Sequence, residues 1–527
     1  MPSAAGATQN KFEGRLTLTA ELAGSQFTAI SDPSSLSNAF GGAAKHLPPF
    51  DFSFVQFGNA LIPAQRGSIP STHPFWEFIL EPGTVTDNGT GMTQAKLPFA
   101  LEERNENCIH NGVLSFTFNN SGTVSDVSYI IAAETCATFK FDMSGSWAAT
   151  YTPGKVTGRT RLIADYDHET TTRLPTKTFA DLAVDHPGMD ATQFGSPLEV
   201  NPADMTFYGL VLDGVNYVGG CNTRAGAYPF CNSMAAPSYS VAKSVFAGTT
   251  AMRLAQLYPK VMRQKIADFV PECAASGQWG DVTFANALDL ATGNYNSNAS
   301  MADESAADMW QFFYPDTHAG KIAFACGHFP RKTTPGTQWV YHTPDTYVLG
   351  TALRAFYAKK TKPTRDFYRD LLIDPIWHRL GLHPTLDVTR RTYDSVAQPF
   401  SGYGLTLMPD DIAKLAIFLN NDRGKILGEQ MIDIGMLDAA FQRNKSNPGL
   451  PAGSADLRYN NGYWAFNAQA TLGCPAPTWI PFMSGFGGIT IALLPNGMTY
   501  YYVSDGNSYT WSRAIREANK FRPFCKH

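Results

Sequence analysis

The sequence predicts an α+β protein of mixed α/β character, built from two parts and a linker. Three observations support this fold class. The 527 residues exceed the usual size of one domain. Apolar and polar residues alternate in the first part, and helical segments of the second part lie between two sets of hairpin-linked strands. We expect a β-rich N-terminal domain at 1–155, a linker at 156–204, and a domain at 205–527 whose antiparallel sheet is flanked by helices.

The N-terminal part is predicted to contain strands up to about residue 150. Leu114, Phe116 and Phe118 alternate with polar residues and run into the turn-forming segment 119–122, and the alternation returns over 139–143. A period of two between Gly, Asn and Ser turns is typical of a half-buried antiparallel sheet. We therefore expect a sandwich or a barrel that acts as a structural or substrate-docking module, since this part contains no catalytic constellation.

The character of the chain changes twice after the N-terminal part. Residues 156–204 are polar and are expected to form a linker with little structure of its own. A strand hairpin is then predicted at Asp213-Gly214, and a buried helix from Ser240 to Leu257, because small and apolar residues dominate there and Pro259 follows. Near the end of the chain, a second hairpin at Asn496-Gly497 precedes a closing helix.

The composition excludes several classes of function. Hydrophobic residues make up 44% of the chain, charged residues 16%, and the net charge is −4. This balance gives no electrostatic basis for binding nucleic acid or an anionic membrane. No apolar run is long enough to span a bilayer. We expect a well-packed globular protein, of unknown oligomeric state, whose partner is a small-molecule or oligomeric substrate.

The eight cysteines are expected to form disulfides rather than to remain buried thiols. Eight cysteines allow many connectivities, and the one we expect joins neighbours along the chain: Cys108 with Cys136, Cys221 with Cys231, Cys273 with Cys326, and Cys474 with Cys525. No Cys-x-x-Cys motif occurs, and His110 and His328 lack zinc-finger spacing, so we expect no metal site.

The cysteines also indicate an oxidising compartment, so the protein is expected to be secreted or periplasmic. The N-terminal segment MPSAAGATQNKFEG has neither the basic start nor the apolar core of a signal peptide, and we interpret it as a mature chain with an added Met. Four Asn-x-Ser/Thr sequons fit a secreted protein; they begin at Asn88, Asn119, Asn298 and Asn444.

The segment Ser240-Val241-Ala242-Lys243 carries the first sign of chemistry. At the start of a helix, positions i and i+3 share a face, so the Lys243 amine can reach the Ser240 hydroxyl. Apolar neighbours exclude water, and a desolvated ammonium loses its proton more easily, so the lysine can act as a base. Free backbone N–H groups at the helix start can hold an oxyanion. The alternative is an ordinary helix whose lysine extends to solvent.

Two later segments extend this motif in a fixed order. The first is Pro335-Gly336-Thr337-Gln338-Trp339-Val340-Tyr341, and the second is FMSGFGGITIALLPNG, from residue 482. Together with the Ser-x-x-Lys motif they resemble the serine β-lactamase and penicillin-binding-protein superfamily. The resemblance covers about 205–527 and is closest to β-lactamase-fold carboxylesterases and 6-aminohexanoate-dimer hydrolase. It implies a β-lactamase-like domain and leaves the first 150 residues unassigned.

The resemblance also implies a role for each matching residue. Ser240 would be the nucleophile that becomes acylated. Lys243 would take its proton or keep Tyr341 ionised, and Tyr341 would relay the proton to the leaving group and then activate water. The backbone N–H groups of Ser240 and Phe486, the latter after Ser484-Gly485, would form the oxyanion hole.

The sequence departs from the superfamily pattern at two places. The third motif usually begins with a lysine that helps to bind a substrate carboxylate, and Met483 stands at that position. The second motif continues as His342-Thr343; Thr343 can still hydrogen-bond Lys243, whereas His342 is expected to point away from Tyr341 and pack, with a second acid/base role as the alternative. We interpret Asp303, Glu304 and Asp308 as a solvated helix face rather than as a metal site or paired carboxylates.

These observations predict a serine hydrolase that cleaves an ester or amide through an acyl-enzyme, without a cofactor. The absence of a Gly-x-Ser-x-Gly elbow argues against an ordinary α/β-hydrolase. The uncharged Met483 predicts an esterase or amidase that is a poor β-lactamase. Two alternatives stay open: a peptidase of D-amino-acid or cell-wall peptides, and a penicillin-binding-like sensor that is acylated without turnover.

Overall fold

A computed structural model describes residues 8–18, 26–132, 135–140, 142–361 and 365–525. It confirms the predicted mixture of helices and large antiparallel sheets, with a β-rich N-terminal part. Two sheets dominate the described chain, one in each part, and helices accompany the second sheet.

The N-terminal sheet contains twelve strands in the described residues, and all its pairings are antiparallel. Ten strands follow the order β12-β1-β3-β4-β7-β8-β9-β10-β11-β2, while β6 pairs with β8 and β5 with β6. Leu114, Phe116 and Phe118 are buried together in its core, as the alternation predicts, whereas Phe141 lies outside the described residues. The strands are β1 (Glu13–Leu18), β2 (Gln26–Ser31), β3 (Asp51–Phe57), β4 (Ala60–Pro63), β5 (Gly67–Ile69), β6 (Trp76–Leu80), β7 (Gly83–Asp87), β8 (Thr93–Glu103), β9 (Ile109–Phe118), β10 (Val127–Ile131), β11 (Asp142–Trp147) and β12 (Ala149–Pro153).

The second sheet has the order β13-β15-β14-β27-β26-β25-β24-β23-β22, and only its β13–β15 pair is parallel. Short two-stranded pairs stand beside it. Its strands and those of the short pairs are β13 (Thr176–Thr178), β14 (Met205–Leu212), β15 (Val215–Gly220), β16 (Asn222–Thr223), β17 (Gly226–Ala227), β18 (Ala236–Pro237), β19 (Thr406–Leu407), β20 (Lys425–Ile426), β21 (Glu429–Gln430), β22 (Leu450–Pro451), β23 (Leu457–Asn460), β24 (Tyr463–Asn467), β25 (Trp479–Gly485), β26 (Ile489–Leu493) and β27 (Thr499–Ser504).

Helices cover both faces of the second sheet. One face packs against the central helices in the largest apolar core, and the other packs against α2 and α13. The α-helices are α1 (Arg159–Thr172), α2 (Phe179–Asp185), α3 (Thr249–Leu257), α4 (Pro271–Ser276), α5 (Phe284–Leu288), α6 (Trp310–Phe313), α7 (His318–Gly327), α8 (Thr343–Lys360), α9 (His378–Leu380), α10 (Pro409–Ala416), α11 (Ile434–Ala440), α12 (Gln469–Leu472) and α13 (Ser512–Phe521). π-Helical segments occupy Lys243–Gly248, Arg369–Trp377 and Ile417–Asn421, and 3₁₀ turns occupy Leu36–Lys45, Ala191–Gln193, Cys231–Ser233, Val261–Arg263, Ile266–Asp268, Ala307–Met309 and Pro384–Asp387.

The segment 156–204 is more structured than its composition predicts. It contains α1, the edge strand β13 and α2, so the expectation of little structure is wrong. The hydrophobic pattern does not predict helix α1, because this helix is polar on almost all sides and Glu169 is its one buried residue in the described chain. Helix α2 begins with a capping box between Thr178 and Asp181, which stabilises its first turn. The position of the domain boundary stays a prediction.

Buried ion pairs join the N-terminal sheet to the second part. The Arg390 guanidinium, 2% exposed, lies 2.5 Å from Glu77 and 3.2 Å from Glu102. His383 Nε2 lies 2.9 Å from Glu81 Oε2, which also pairs with Arg66 at 2.6 Å. Breaking such a buried pair by removing one partner costs about 3–5 kcal/mol. The two parts therefore form one packed unit.

The disulfide pairing is the predicted one. Bonds join Cys108 to Cys136, Cys221 to Cys231, Cys273 to Cys326, and Cys474 to Cys525, and the described chain holds no free cysteine. Four disulfides are consistent with a secreted or periplasmic protein. Among the described helices, none has the length and apolar character needed to cross a membrane.

Candidate active site

Ser240 lies at the entrance of the predicted buried helix. The helix runs from Val241 to Leu257, with the six residues Lys243–Gly248 in π-helical geometry before α3 begins. Single π-turns inside helices are frequent at functional sites. Tyr239, directly before Ser240, has a left-handed backbone with φ +39°. Such a conformation is costly for a residue with a Cβ. It indicates that the chain makes a tight turn where it enters the helix.

Lys243 faces Ser240 inside the protein, not solvent. Its side chain is buried, and Nζ donates to Ser240 Oγ at 2.8 Å and to Thr343 Oγ1 at 2.7 Å. Burial lowers the pKa of Lys243 to about 8, and the carboxylates of Glu304 and Asp345 partly offset this effect. The lysine is therefore partly neutral near physiological pH, as a general base requires.

Tyr341 completes the group on the other side of Ser240. It lies on the segment that leads into α8, and Nζ of Lys243 is 4.7 Å from the centroid of its ring. Burial raises its pKa well above 10, while a hydrogen bond with Ser240 works in the opposite direction. The phenol is thus protonated at neutral pH and is suited to donate a proton.

Glu304 contacts Thr343 beside this group, so its predicted position on a solvated face is wrong. Its carboxylate accepts a hydrogen bond from the Thr343 backbone N–H at 2.8 Å and another from the Thr343 hydroxyl. Thr343 in turn contacts Lys243 as predicted. A chain of contacts therefore connects the Glu304 carboxylate to the Lys243 amine.

His342 packs in the protein interior, as predicted. It is buried, stacks on Phe329 with ring centroids 4.1 Å apart, and its Nε2 lies 2.9 Å from Asp303 Oδ2. Its Nδ1 lies 3.5 Å from Asp345 Oδ2. The two carboxylates overcome the effect of burial and raise the pKa of His342 to about 9. Asp303, also buried, is therefore part of an internal ion pair and not of a solvated face; Asp308 pairs with His328.

The third motif forms the end of β25. Met483 is buried in the core, Gly485 is buried, Ser484 is half-buried, and Phe486 is 43% exposed with its ring against that of Tyr239 at 5.7 Å. A Cβ added to Gly485 would lie 2.8 Å from the Ser238 carbonyl oxygen. The strand end thus lies directly beside the segment that carries Ser240.

The oxyanion hole stays a prediction at this strand end. Within the described chain, neither the Ser240 nor the Phe486 backbone N–H donates a hydrogen bond. No described group therefore competes for either N–H.

Aromatic residues line one side of the site, and no local sequence pattern predicts this arrangement. Trp464 stacks between Tyr341 and Phe482, with centroid distances of 5.8 and 6.0 Å. Tyr509, 46% exposed, lies close enough to Tyr341 to raise its pKa further. These rings form an apolar wall on the Tyr341 side of the candidate site.

The N-terminal part also borders the site. The buried Tyr239 hydroxyl donates to the Thr135 carbonyl oxygen at 3.3 Å. Ala137 lies beside the β25–β26 turn, where a Cβ added to Gly487 would be 3.5 Å from its Cβ. The disulfide between Cys108 and Cys136 joins the start of strand β9 to the loop that contains Thr135 and Ala137. Residues of the N-terminal part thus lie next to the candidate active site.

One group of potential metal ligands occurs in the described residues, and it is not suited to a metal. Cys108, His110 and Cys136 lie within 4.8 Å of one another. Both cysteines are joined in a disulfide, so neither sulfur is available as a thiolate ligand.

Comparisons with known proteins agree with the resemblance noted in the sequence. Similar solved structures include a putative 6-aminohexanoate-dimer hydrolase from Bacillus anthracis (14% identity, 61% of this chain and 79% of that chain, TM-score 0.45). They also include EstCE1, a hydrolase with promiscuous acyltransferase activity (13%, 67% and 100%, TM-score 0.44), and a family VIII carboxylesterase (20%, 60% and 92%, TM-score 0.42). A search of curated proteins finds no match. The family model described as Beta-lactamase matches residues 215–521, more than half of the chain. The chain therefore belongs to the beta-lactamase family.

Proposed function

We propose that this protein hydrolyses neutral esters of apolar acids through an acyl-enzyme on Ser240. The observation that carries the proposal is the buried Lys243 amine 2.8 Å from Ser240 Oγ. Its pKa of about 8 supports a neutral amine as the base, whereas the pKa of Tyr341, well above 10, supports a neutral phenol. Of the two roles considered for Lys243, these values favour direct proton removal from Ser240.

Acylation begins when Ser240 Oγ attacks the ester carbonyl carbon and its proton passes to Lys243 Nζ. The new oxyanion would be held by the backbone N–H groups of Ser240 and Phe486. The carbon–oxygen bond to the leaving group then breaks, Tyr341 donates its proton to the departing alkoxide, and Lys243 returns a proton to Tyr341. The alcohol leaves, and Ser240 carries the acyl group.

Deacylation repeats these steps with water as the nucleophile. Water loses a proton to the Lys243–Tyr341 pair and attacks the acyl carbon. The bond to Ser240 Oγ breaks, Oγ regains a proton, and the carboxylic acid leaves. The sum is one ester and one water converted to one acid and one alcohol, so the site needs no redox partner or cofactor for this reaction.

The charge around the site supports a neutral substrate. Met483, at the position where the superfamily usually has a lysine, is fully buried and uncharged. The nearby Arg331 is engaged elsewhere, since Nη2 lies 2.7 Å from Asp281 Oδ1 and also donates to the Gln278 carbonyl oxygen. A carboxylate that enters a partly desolvated cleft without a cationic partner is costly. The aromatic wall at Trp464 instead offers apolar contact for an acyl chain.

A covalent label and a substrate panel test the proposal together. A fluorophosphonate should form an adduct on the peptide that contains Ser240, and Ser240→Ala should abolish both labelling and turnover of p-nitrophenyl butyrate. Ser233→Ala, a control on the preceding turn, should change neither. An adduct on another serine contradicts the assignment. A single burst of product without turnover favours the sensor, and turnover of D-amino-acid peptides alone favours the peptidase.

A further inference from the structure

A cavity lies near the start of β25, at the opposite end of this strand from the candidate active site. It has a volume of about 660 Å³ and its lining includes Phe441, Arg443, Lys445, Arg458, Trp479 and Phe524. Trp479 begins β25 and Gly485 ends it. Six residue steps in a strand span roughly 20 Å, so this cavity is separate from the Ser240 site.

All the charged side chains that line the cavity are positive. Its lining contains three cationic side chains and no carboxylate. Within the described chain, no carboxylate oxygen comes within 4 Å of the charged groups of Lys445 or Arg458. Arg443 lies 3.8 Å from Asp438, but that carboxylate is bound more closely by Arg423, at 2.6 Å. The cavity therefore has an excess of positive charge that no acidic side chain in its wall balances.

Two of the cations lie against aromatic rings, and one of them, Arg443, is also held by hydrogen bonds. The Arg458 guanidinium carbon lies 4.5 Å from the centroid of the Trp479 ring, and that of Arg443 lies 4.9 Å from the Phe441 ring. Arg443 Nη2 also donates to the Asn420 carbonyl and side-chain oxygens at 3.1 and 3.0 Å. A guanidinium fixed against a ring loses less conformational freedom when it binds a carboxylate or sulfonate.

We propose that this cavity is a binding site for an organic anion with an aromatic body. The acidic group of the ligand contacts Arg458, Arg443 and Lys445, and its ring packs against Trp479, Phe441 and Phe524. Charge-assisted hydrogen bonds to arginine give orientation, and the aromatic lining supplies apolar contact area. The site is independent of the hydrolase proposal, because it shares no residue with the Ser240 group.

The test uses 8-anilinonaphthalene-1-sulfonate as the probe and the full chain made in a bacterial host. Bacterial protein carries no glycan on Asn444, whose sequon lies on the cavity wall. The active site is first blocked with a fluorophosphonate. Fluorescence titration should show saturable binding of one probe per chain, and the uncharged analogue N-phenyl-1-naphthylamine should bind at least about tenfold more weakly.

Two variants locate the binding site. Arg458→Met should weaken probe binding about tenfold, and Lys445→Met, a change of an exposed side chain that leaves the fold unaffected, should weaken it several-fold. Arg161→Met on α1, where the side chain is 87% exposed, is the matched control and should bind as the parent does. Equal affinity of the charged and uncharged probes, or unchanged binding in both cavity variants, overturns the proposal. A lack of saturable binding overturns it as well.

Discussion

Replacing Glu304 by glutamine should move the acid limb of the pH–rate profile to lower pH. The Glu304 carboxylate and the Lys243 ammonium are separated by the Thr343 hydroxyl, since Nζ is 2.7 Å from Oγ1 and Oγ1 is hydrogen-bonded to the carboxylate. Two hydrogen bonds in series put the charges roughly 5 Å apart, so their attraction is about 3 kcal/mol at an effective dielectric constant near 20. Glu304 is half-buried, and solvent reduces this to about 1.5 kcal/mol.

The sign follows from the charges. The carboxylate stabilises the ammonium and raises the pKa of Lys243, so its removal lowers that pKa from about 8. An attraction of about 1.5 kcal/mol corresponds to about one pH unit. The neutral, base-competent lysine then persists to lower pH. The midpoint of kcat/KM against pH, which reports the free enzyme, should fall by about one pH unit for p-nitrophenyl butyrate.

Two controls separate this effect from general damage. Asp308→Asn changes a carboxylate on the same segment that pairs with His328, and it should leave the midpoint in place. The Tyr341→Phe variant should have low residual activity, and the midpoint of its pH–rate profile should stay near 8, because Lys243 is the titrating group. A midpoint in Glu304→Gln that is unchanged or higher would refute the electrostatic coupling. Loss of the acid limb in Tyr341→Phe would instead assign the titration to the phenol.

Four further predictions can be measured. They concern the proton-transfer pair, the substrate preference, the packing of the two parts and the cysteine pairing. Lys243→Ala or Tyr341→Phe should lower kcat by about 10²–10⁴-fold, and the double variant should lose little more than the worse single one; additive losses would show that one residue is only structural. With Met483 uncharged, kcat/KM for p-nitrophenyl butyrate should exceed that for penicillin G by at least ~100-fold, about 3 kcal/mol, and comparable rates would contradict the idea that the site lacks a cation to bind the substrate carboxylate. A chain that begins at Pro202 should be insoluble or inactive, because it lacks β13 and α2 and exposes the apolar residues Ala235 and Met408 that the N-terminal sheet covers; a soluble, active fragment would disprove this packing argument. Mass mapping without reductant should recover four disulfide-linked peptide pairs, whereas eight alkylated thiols in the native protein would show the pairing to be wrong.

The Ser240–Lys243–Thr343 contacts were predictable because each depends on short spacing or on motif order. Ser240 and Lys243 lie one helical turn apart, so their contact needs no knowledge of the fold. Thr343 and Tyr341 belong to one short segment. This segment is identified as the second motif because it follows the Ser-x-x-Lys motif and precedes the third motif along the chain. Glu304 could not be placed in this way, because it reaches Thr343 only through tertiary packing of a charged segment that, by composition, is typical of a solvated surface.

The difference between local pattern and tertiary packing also explains which parts of the fold were predictable. Alternation along β9 predicts a half-buried sheet, because each strand has one face in the core. Helix α1 has no such pattern, since its stability depends on a few contacts such as that between Glu169 and Arg66. The approach of Ala137 to Gly487 joins residues 350 positions apart, and no local property of either segment indicates it.

The Tyr239 hydroxyl that reaches Thr135 has a consequence for how the enzyme matures. The left-handed residue next to the nucleophile is held by a carbonyl group of the N-terminal sheet. During synthesis the N-terminal sheet emerges first and can fold before the remainder of the chain. It then acts as a template against which the loop before Ser240 is shaped. We therefore expect the segment before Ser240 to reach its final shape only after the second part has docked on the N-terminal sheet, and we expect the second part of a relative to need its own N-terminal sheet when it is exchanged.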